Sequence, residues 1–327
     1  MGIDGNKVVR ALGKAAFIFP GQGAQYTGMG RDVYERVAQA RERFEAASRV
    51  LGFDLAKVCF EGPEEELAST PVSQPAILVT SIALLDAARE WGDLPEVDLA
   101  AGLSLGEYTA LAFSGALEFD DAVGLVRKRG QYMQDAADAN PGGMSSVIGL
   151  SGDAVETACR GASEAGVVKV ANLNCPGQVV ISGEFEALER AESAVREMGA
   201  KRVVRLAVSG AFHSPLMRPA RERLRQALEE VRIRRANPPV VSNVTAGTVQ
   251  DPPEIKQVLQ EQIDGPVHWE ASVRFMVDAG VDTMYEIGPG RVLAGLCRRI
   301  DDRIKVVNVN DTESAVSAFK QVEEEDE

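Results

Sequence analysis

Short apolar runs alternate with longer amphipathic stretches along most of the chain. Ala15–Phe19 is an apolar run of strand length that Pro20-Gly21 closes, so we predict a buried strand there. Residues 98–102 form a second such run, which lies between two helical patterns over 74–91 and 120–139. This alternation of strands and helices is typical of an α/β fold with a parallel sheet.

The two predicted helices begin at residues that favour helix N-termini. In the first, Ser73 is the predicted cap, and Pro75 falls in the first turn, where a missing N–H does no harm. In the second, Asp120-Asp121 is the predicted cap, and Asn140-Pro141-Gly142 ends the helix.

The segment from 144 to 208 has shorter elements at closer spacing. Its pattern predicts the order βαββαβ, with strand 144–150, helix 151–165, strands 167–171 and 178–182, helix 185–198 and strand 201–208. This order is that of a ferredoxin-like unit, and we expect 172–177 to be the loop between its two middle strands.

After this unit the longer pattern resumes. It predicts a helix from about Pro219, a strand over 239–244, a helix over 254–263 and a strand over 284–287. We therefore predict two domains. The larger is formed by 1–140 and 210–327, and the inserted subdomain covers 141–209.

Composition narrows the class of protein. The chain has 327 residues and a formal net charge of -14, which argues against nucleic acid as a partner. No apolar run is long enough to cross a bilayer, and the N-terminus lacks the pattern of a secretory signal. The four cysteines are widely scattered, which is typical of free thiols in a reducing compartment. We expect a cytoplasmic protein with no membrane partner.

The stretch GLSLGEYTAL at 102–111 carries the first candidate chemistry. A G-x-S-x-G sequence between a strand and a helix is a nucleophile elbow, which exposes the serine hydroxyl at the end of the strand. The N–H of Leu105 follows the serine and lies at a helix N-terminus, where a developing oxyanion is stabilised. Ser104 is therefore the candidate nucleophile in an α/β-hydrolase-like domain, with a structural turn as the alternative.

A serine nucleophile needs a base, and the chain has two histidines. His213 lies in SGAFHSPLM at 209–217, between the inserted subdomain and a helix. His268 lies in PVHW, just before an amphipathic helix. We expect His213 to be the base, because a junction between domains can face a cleft.

A glycine-rich turn, PGQGAQ at 20–25, follows the first predicted strand. It does not satisfy the G-x-G-x-x-G pattern of dinucleotide sites, since position 26 is tyrosine. We expect this turn to bring Gln22, or a backbone N–H, towards Ser104 as the other half of an oxyanion hole.

Several motifs occur together in one order along the chain. They are FPGQGAQ at 19–25, TPVSQPA at 70–76, GLSLGEYTAL at 102–111, VRKRGQYMQ at 126–134, NLNCPGQVVISG at 172–183, GAFHSPLM at 210–217, PVHW at 266–269 and EIGPGRVLAGL at 286–296. In these motifs the chain resembles the malonyl-CoA:acyl carrier protein transacylases of fatty acid synthesis and the related acyltransferase domains of polyketide synthases. The resemblance extends from Phe17 to about Asn310.

The resemblance implies a role for each matching residue. Ser104 corresponds to the acylated serine and His213 to its base, while Gln22 and the Leu105 amide correspond to the oxyanion hole. Arg129 corresponds to the arginine that pairs with the malonyl carboxylate. A planar guanidinium can hold a carboxylate through two parallel hydrogen bonds, so this role is chemically reasonable.

Further substrate contacts are implied around these residues. Met133 lies one turn after Arg129 on the same helix face. A bulky residue such as Phe212, next to the base, goes with selection of malonyl over methylmalonyl in the related acyltransferases. Packing in the core is the alternative for Phe212.

The chain departs from the usual family pattern at two positions. Leu103 stands where the family usually has histidine before the nucleophile, and His268 stands where it commonly has glutamine. In the family, the backbone carbonyl of that glutamine accepts a hydrogen bond from the catalytic histidine. Because any residue supplies a carbonyl, we expect His268 to orient His213.

The resemblance implies ping-pong transfer of a malonyl group from malonyl-CoA to acyl carrier protein, with no metal or cofactor. The sequence does not reveal the oligomeric state, and a monomer is the default expectation. Four basic residues are expected to flank the cleft and bind the carrier: Lys201, Arg202, Arg218 and Arg221. Three alternatives remain open: a serine thioesterase or esterase, a discrete polyketide acyltransferase, and a catalytically inactive carrier-binding module.

Overall fold

The computed structural model describes residues 14–319. The N-terminal segment considered for a signal and the outer ends of the larger predicted domain lie outside these residues. Within the described range the strands are β1 Lys14–Phe19, β2 Leu99–Gly102, β3 Gly143–Ile148, β4 Val168–Cys175, β5 Gln178–Gly183, β6 Arg202–Arg205, β7 Val240–Val241, β8 Thr248–Val249, β9 Val281–Ile287 and β10 Lys305–Val309. The helices are α1 Arg31–Arg36, α2 Ala38–Leu51, α3 Leu55–Glu61, α4 Glu64–Ala68, α5 Thr70–Trp91, α6 Leu105–Phe113, α7 Phe119–Ala139, α8 Gly152–Ala162, α9 Phe185–Glu197, α10 Arg218–Glu230, α11 Pro252–Asp264, α12 Trp269–Asp278, α13 Val292–Ile300 and α14 Thr312–Phe319.

The larger sheet has the strand order β10-β9-β1-β2-β7-β8. All of its pairs are parallel except β7 with β8. Both faces are covered: Phe17 and Phe19 pack in the core with α5, α6 and α7, whereas Ala16 and Ile18 pack against α12 and α13. Burial on both faces explains why β1 is a continuous apolar run. The α/β class predicted from the sequence is therefore confirmed.

The carboxyl ends of β1 and β2 lie side by side, because Phe19 pairs with Gly102. The glycine-rich turn that follows β1 and the Ser104 elbow that follows β2 consequently meet at one edge of the sheet. In open α/β sheets, ligands bind at this edge.

The smaller sheet has the order β4-β5-β3-β6, and its neighbouring strands are antiparallel. Helices α8 and α9 pack on it around a separate core that includes Val147, Ile181 and Leu188. The loop expected over 172–177 is shorter than predicted, because β4 continues to Cys175 and only Pro176-Gly177 turns the chain. The Leu173 N–H donates to the Val267 carbonyl, which joins this sheet to the segment before α12.

Helix α5 begins at Thr70, earlier than the start predicted at Gln74. Pro71 occupies the first turn, so Ser73 is not the cap and Pro75 lies inside the helix. Pro75 cannot donate to the carbonyl of Pro71 one turn earlier, but the guanidinium of Arg127 donates to that carbonyl at 2.8 Å. A contact from α7 thus allows proline inside α5.

Among the described residues, α5 is the one helix long and apolar enough to span a membrane by length and composition. Of its most apolar window, 94% is buried inside the protein, so α5 is a core helix.

Two other expected elements differ in length: the strand expected over 239–244 is reduced to Val240–Val241, and the second predicted helix begins at Phe119 after Glu118. All four cysteines are free and buried.

Candidate active site

Ser104 occupies a strained turn between β2 and α6. Its backbone has φ 51° and ψ -100°, in the region that residues with a Cβ rarely adopt. A Cβ on Gly102 would lie 2.0 Å from the backbone of Gly106, and one on Gly106 would lie 2.1 Å from the carbonyl oxygen of Phe19. Both glycines of the G-x-S-x-G sequence are thus required by close backbone packing.

Asn243 holds the backbone of this turn. Its Oδ1 accepts the N–H of Ser104 at 2.6 Å, and its Nδ2 donates to the carbonyl of Gly102 at 2.7 Å. These bonds span the strained residue on both sides and offset part of its conformational cost. Asn243 was not among the residues that the sequence singled out.

His213 lies beside the candidate nucleophile, as expected. Its Nε2 is 2.8 Å from Ser104 Oγ, and its Nδ1 is 2.8 Å from the backbone carbonyl oxygen of Gln262. A carbonyl can only accept, so Nδ1 carries the proton and Nε2 is free to accept the serine proton. The expectation that His268 supplies this carbonyl is wrong, because Gln262 supplies it.

His268 caps the start of α12 instead. Its N–H donates to the carbonyl of Asn243 at 2.8 Å, and its own carbonyl accepts the N–H of Ser272 at 2.9 Å. With its carbonyl used inside α12, His268 does not orient His213.

Arg129 is buried and points at the same serine. Its Nη2 donates to Ser104 Oγ at 3.1 Å and to Gln262 Oε1 at 2.9 Å, while its Nη1 donates to Gln74 Oε1 at 2.7 Å. Its Nε has no hydrogen-bond partner among the described residues. A guanidinium has five N–H groups, so two remain after these three bonds. Arg129 is therefore a buried charge and not a solvated one, although its neighbours in sequence are also basic.

The neighbours of Arg129 fix its position. Its guanidinium carbon lies 5.1 Å from the centre of the Tyr108 ring, which favours a cation. The amide Nε2 of Gln74 lies 3.6 Å from the sulfur of Met133, so Met133 borders the same buried cluster. Gln74, like Asn243 and Gln262, is a residue of this site that the sequence did not single out.

The turn after β1 lies close to the elbow, since the N–H of Leu103 donates to the carbonyl of Phe19 at 3.1 Å. The side chain of Gln22 donates from Nε2 to Thr70 Oγ1 at 3.2 Å, so its amide group is already engaged by Thr70. Leu105 is the first residue of α6, and its N–H has no carbonyl one turn earlier in the helix to bond.

Two further residues border the site. Phe212 is buried in the main core cluster next to His213. Leu103 is half-buried and packs with the cluster on the opposite face of the sheet. A leucine side chain has no polar atom, so Leu103 makes no hydrogen bond to Ser104 or His213 where the family usually has a histidine.

A groove of about 400 Å³ leads to His213 from solvent. One wall comes from the smaller sheet and its helix, with Asp153, Lys169 and Leu173, and the other from Asp264 and His268. His268 is thus a wall residue of the entrance rather than a partner of the base.

The four basic residues expected at the cleft divide into two pairs. Arg221 and Arg218 lie 3.1 Å and 4.0 Å from the carboxylate of Asp264, which lines the groove. Lys201 and Arg202 lie at β6, the edge of the smaller sheet opposite to β4. Neither residue is among those that line the groove, so a part for Lys201 and Arg202 in carrier binding stays a prediction.

Burial and the nearby cation of Arg129 lower the pKa of His213 to about 4, although the carbonyl of Gln262 acts in the opposite direction. His213 is therefore neutral at neutral pH, as a base must be.

The protonation state of His213 can be measured by NMR. The chain has two histidines, so removing His268 leaves one imidazole signal to follow. We expect the imidazole NMR signal of His213, assigned with His268→Asn, to titrate near pH 4. In Arg129→Ala the midpoint should rise, because removing a neighbouring positive charge makes a second one easier to form. Titration of His213 near its ordinary value in the wild-type protein would contradict this environment.

The geometry is that of a serine acyltransferase or hydrolase with a buried arginine at its nucleophile. The chain also matches the sequence profile described as acyl transferase domain, over residues 16–320. The chain belongs to this family. The family that the motifs indicated is therefore confirmed, together with its class of enzyme.

Named relatives cover nearly the whole chain. The malonyl CoA-acyl carrier protein transacylase of Bacillus subtilis (strain 168) is 44% identical over 317 residues, which are 97% of this chain and 99% of the relative. The solved structure of the malonyl CoA-acyl carrier protein transacylase from Coxiella burnetii matches with a TM-score of 0.91 at 38% identity, over 94% and 97% of the two chains. A type II PKS acyl-carrier protein in complex with its malonyl-transacylase gives a TM-score of 0.89 at 42% identity, over 94% and 99%.

Proposed function

We propose that the protein transfers a malonyl group from malonyl-CoA to the phosphopantetheine thiol of an acyl carrier protein, for fatty acid synthesis. One observation carries this proposal: Ser104 Oγ contacts both the base nitrogen of His213 and the guanidinium of Arg129. A base and a fixed cation at one nucleophile suit a short acyl thioester that ends in a carboxylate. The names of the relatives support the same substrates.

In the first half-reaction, Nε2 of His213 takes the Ser104 proton while Oγ attacks the thioester carbon of malonyl-CoA. The tetrahedral intermediate then collapses and the C–S bond breaks. The imidazolium gives its proton to the departing CoA sulfur, which leaves malonyl esterified to Ser104.

The negative charge of the intermediate is proposed to rest on two backbone N–H groups. One is that of Leu105, at the positive end of α6. The other is the backbone N–H of Gln22, since the side chain of this residue is bound to Thr70.

The malonyl carboxylate is proposed to bind Arg129. Within residues 14–319 the second N–H of Nη1 has no acceptor, and the Nη2 bond to Ser104 Oγ weakens once that oxygen is esterified. Together they present the parallel pair that a carboxylate accepts. Met133 and Phe212 form walls of this pocket, and Phe212 limits the space for an α-methyl group.

In the second half-reaction, the pantetheine thiol enters by the groove and attacks the malonyl-serine ester. His213 takes the thiol proton and returns a proton to Ser104 Oγ as the ester C–O bond breaks. Serine, imidazole and backbone N–H groups supply nucleophile, base and anion stabilisation, so the proposed chemistry uses no metal and no resident cofactor.

We also infer the finer organisation of the chain. The elbow after β2 supports an α/β-hydrolase-like domain formed by 1–140 and 210–327. The order β3, α8, β4, β5, α9, β6 supports a ferredoxin-like subdomain over 141–209. A monomeric, cytoplasmic protein remains the expectation.

The proposal is tested by the products formed from malonyl-CoA and a purified carrier protein. We expect malonyl on the carrier thiol in large excess over free malonate. Free malonate as the main product would instead show a thioesterase. Comparing carriers from fatty acid and polyketide synthesis distinguishes the two acyltransferase functions, and the fatty acid carrier should have the higher kcat/KM.

Carrier docking should depend on the basic residues at the groove. The positive charge of Arg221 attracts an acidic carrier, and salt screens this attraction. The KM for the carrier should therefore rise with salt concentration. Arg221→Ala should raise that KM several-fold and flatten its salt dependence. Arg190→Ala, an exposed α9 residue paired with Glu186, is the matched control and should behave as wild type. A salt-independent KM would contradict docking at Arg221.

A further inference from the structure

Glu107 is a buried carboxylate that the proposed mechanism leaves without a role. It lies on α6, three residues after Ser104, and is fully buried. Its Oε2 accepts the Nε2–H of Gln262 at 2.7 Å and the backbone N–H of Asn243 at 3.0 Å. Its Oε1 has no hydrogen-bond partner among the described residues. Burying a carboxylate costs free energy, so this one calls for a physical explanation.

The amide of Gln262 lies between Glu107 and Arg129. Its Oε1 accepts from Arg129 at 2.9 Å, while its Nε2 donates to Glu107 and also to the carbonyl of Ser104 at 3.1 Å. A guanidinium only donates and an ionised carboxylate only accepts, so the two ends hold the amide in a single orientation. Gln262 therefore separates two buried opposite charges, and no hydrogen bond in the described part of the chain joins the Glu107 carboxylate directly to the guanidinium.

Asn243 forms the second connection. Its side chain spans the strained backbone of Ser104, and its own backbone N–H donates to Glu107. Glu107 thus supports both residues that hold the elbow, Asn243 from the segment after β7 and Gln262 from α11.

We propose that Glu107 is a positioning residue: its ionised carboxylate fixes Gln262 and Asn243, and through them Ser104 and Arg129, in the arrangement that acylation requires. This inference rests on the roles proposed above for Ser104 and Arg129. It assigns Glu107 no contact with the substrate.

The groups around Glu107 determine when it is ionised. Burial raises its pKa to about 7, while the hydrogen bonds and the cation of Arg129 on α7 lower it. Tyr108, on the same helix, has a pKa raised to about 12 by burial and stays neutral. The segment after β7 and helix α11 present Ser242, Asn243 and Gln262, which do not titrate. We therefore expect Glu107 to lose its proton as the pH rises through about 7.

Glu107→Gln tests the charge without changing the shape of the side chain. We expect single-turnover acylation of Ser104 by malonyl-CoA to slow about ten- to a hundredfold at pH 8, the range for a hydrogen bond to a charged group. The matched control is Glu286→Gln, since Glu286 is also fully buried but accepts the N–H groups of Leu293 and Ala294 at α13. Per folded molecule, this control should acylate at the wild-type rate.

The pH profile and a double-mutant cycle separate positioning from general destabilisation. The wild-type acylation rate should rise between pH 6 and 8, and the rate of Glu107→Gln should not. Gln262→Met removes the linking amide but keeps the carbonyl that orients His213. The double variant of Glu107→Gln and Gln262→Met should be no slower than the slower single variant, because the two changes break the same connection.

Three results would each overturn this inference. They are a wild-type acylation rate in Glu107→Gln, a rate of Glu107→Gln that still rises between pH 6 and 8, and a double variant whose loss is the sum of the losses in Glu107→Gln and Gln262→Met. If Glu107→Gln does not fold, Gln262→Met decides: a flattened rise between pH 6 and 8 supports the connection, and a wild-type rise overturns it. A wild-type protein that malonyl-CoA does not acylate at Ser104 would overturn the proposed function, and this inference with it.

Discussion

Ser104→Ala should abolish the mass increase of one malonyl group that malonyl-CoA produces on the wild-type protein. Without the hydroxyl there is no oxygen for the acyl group, and transfer to the carrier should fall by roughly 10⁶-fold. Intact-protein mass spectrometry and the transfer assay measure the two effects.

The matched control for this change is Ser114→Ala. Ser114 is also buried, at the end of α6, and its hydroxyl donates to the carbonyl of Leu111. This variant should be malonylated as the wild type is. Malonylation that persists in Ser104→Ala would mean that another residue is the nucleophile.

Arg129→Ala should change which acyl group the enzyme accepts. Losing the guanidinium leaves a carboxylate in a buried site without a partner, so kcat/KM for malonyl-CoA should fall about 10²–10³-fold. Acetyl-CoA has no carboxylate, so its transfer should be retained or increase. The ratio of the two kcat/KM values is the measured quantity.

Arg127→Ala is the control. Arg127 lies two residues before Arg129 in the same basic run, on a different face of α7, and donates to the carbonyl of Pro71. It should lower stability by freeing that carbonyl, but leave the ratio of malonyl to acetyl transfer unchanged. If Arg129→Ala lowers both transfers equally, Arg129 has a structural role alone.

The parts of the fold that the sequence predicted are those with local causes. Burial on both faces produces the continuous apolar run of β1, and the glycines at 102 and 106 are needed for the tight turn at Ser104. The start of α5 was misplaced because a distant contact, from Arg127 to the carbonyl of Pro71, allows proline inside the helix. The short helices over 31–68 gave no pattern strong enough to predict.

The error at His268 has a similar cause. The group that orients His213 is a backbone carbonyl, which every residue carries, so residue type gives no signal for it. Gln262 and Asn243 were missed because neutral amides are common at surfaces, and their burial against Ser104 depends on the path of the chain. Arg129 was found only through the family resemblance, since its neighbours in sequence are also basic.

The most direct test of the account is a crystal structure of the protein after reaction with malonyl-CoA. We predict an ester on Ser104 Oγ whose free carboxylate accepts hydrogen bonds from Arg129, with its carbonyl oxygen facing the N–H groups of Leu105 and Gln22. An ester on another residue, or a carboxylate that points into solvent away from Arg129, would contradict it.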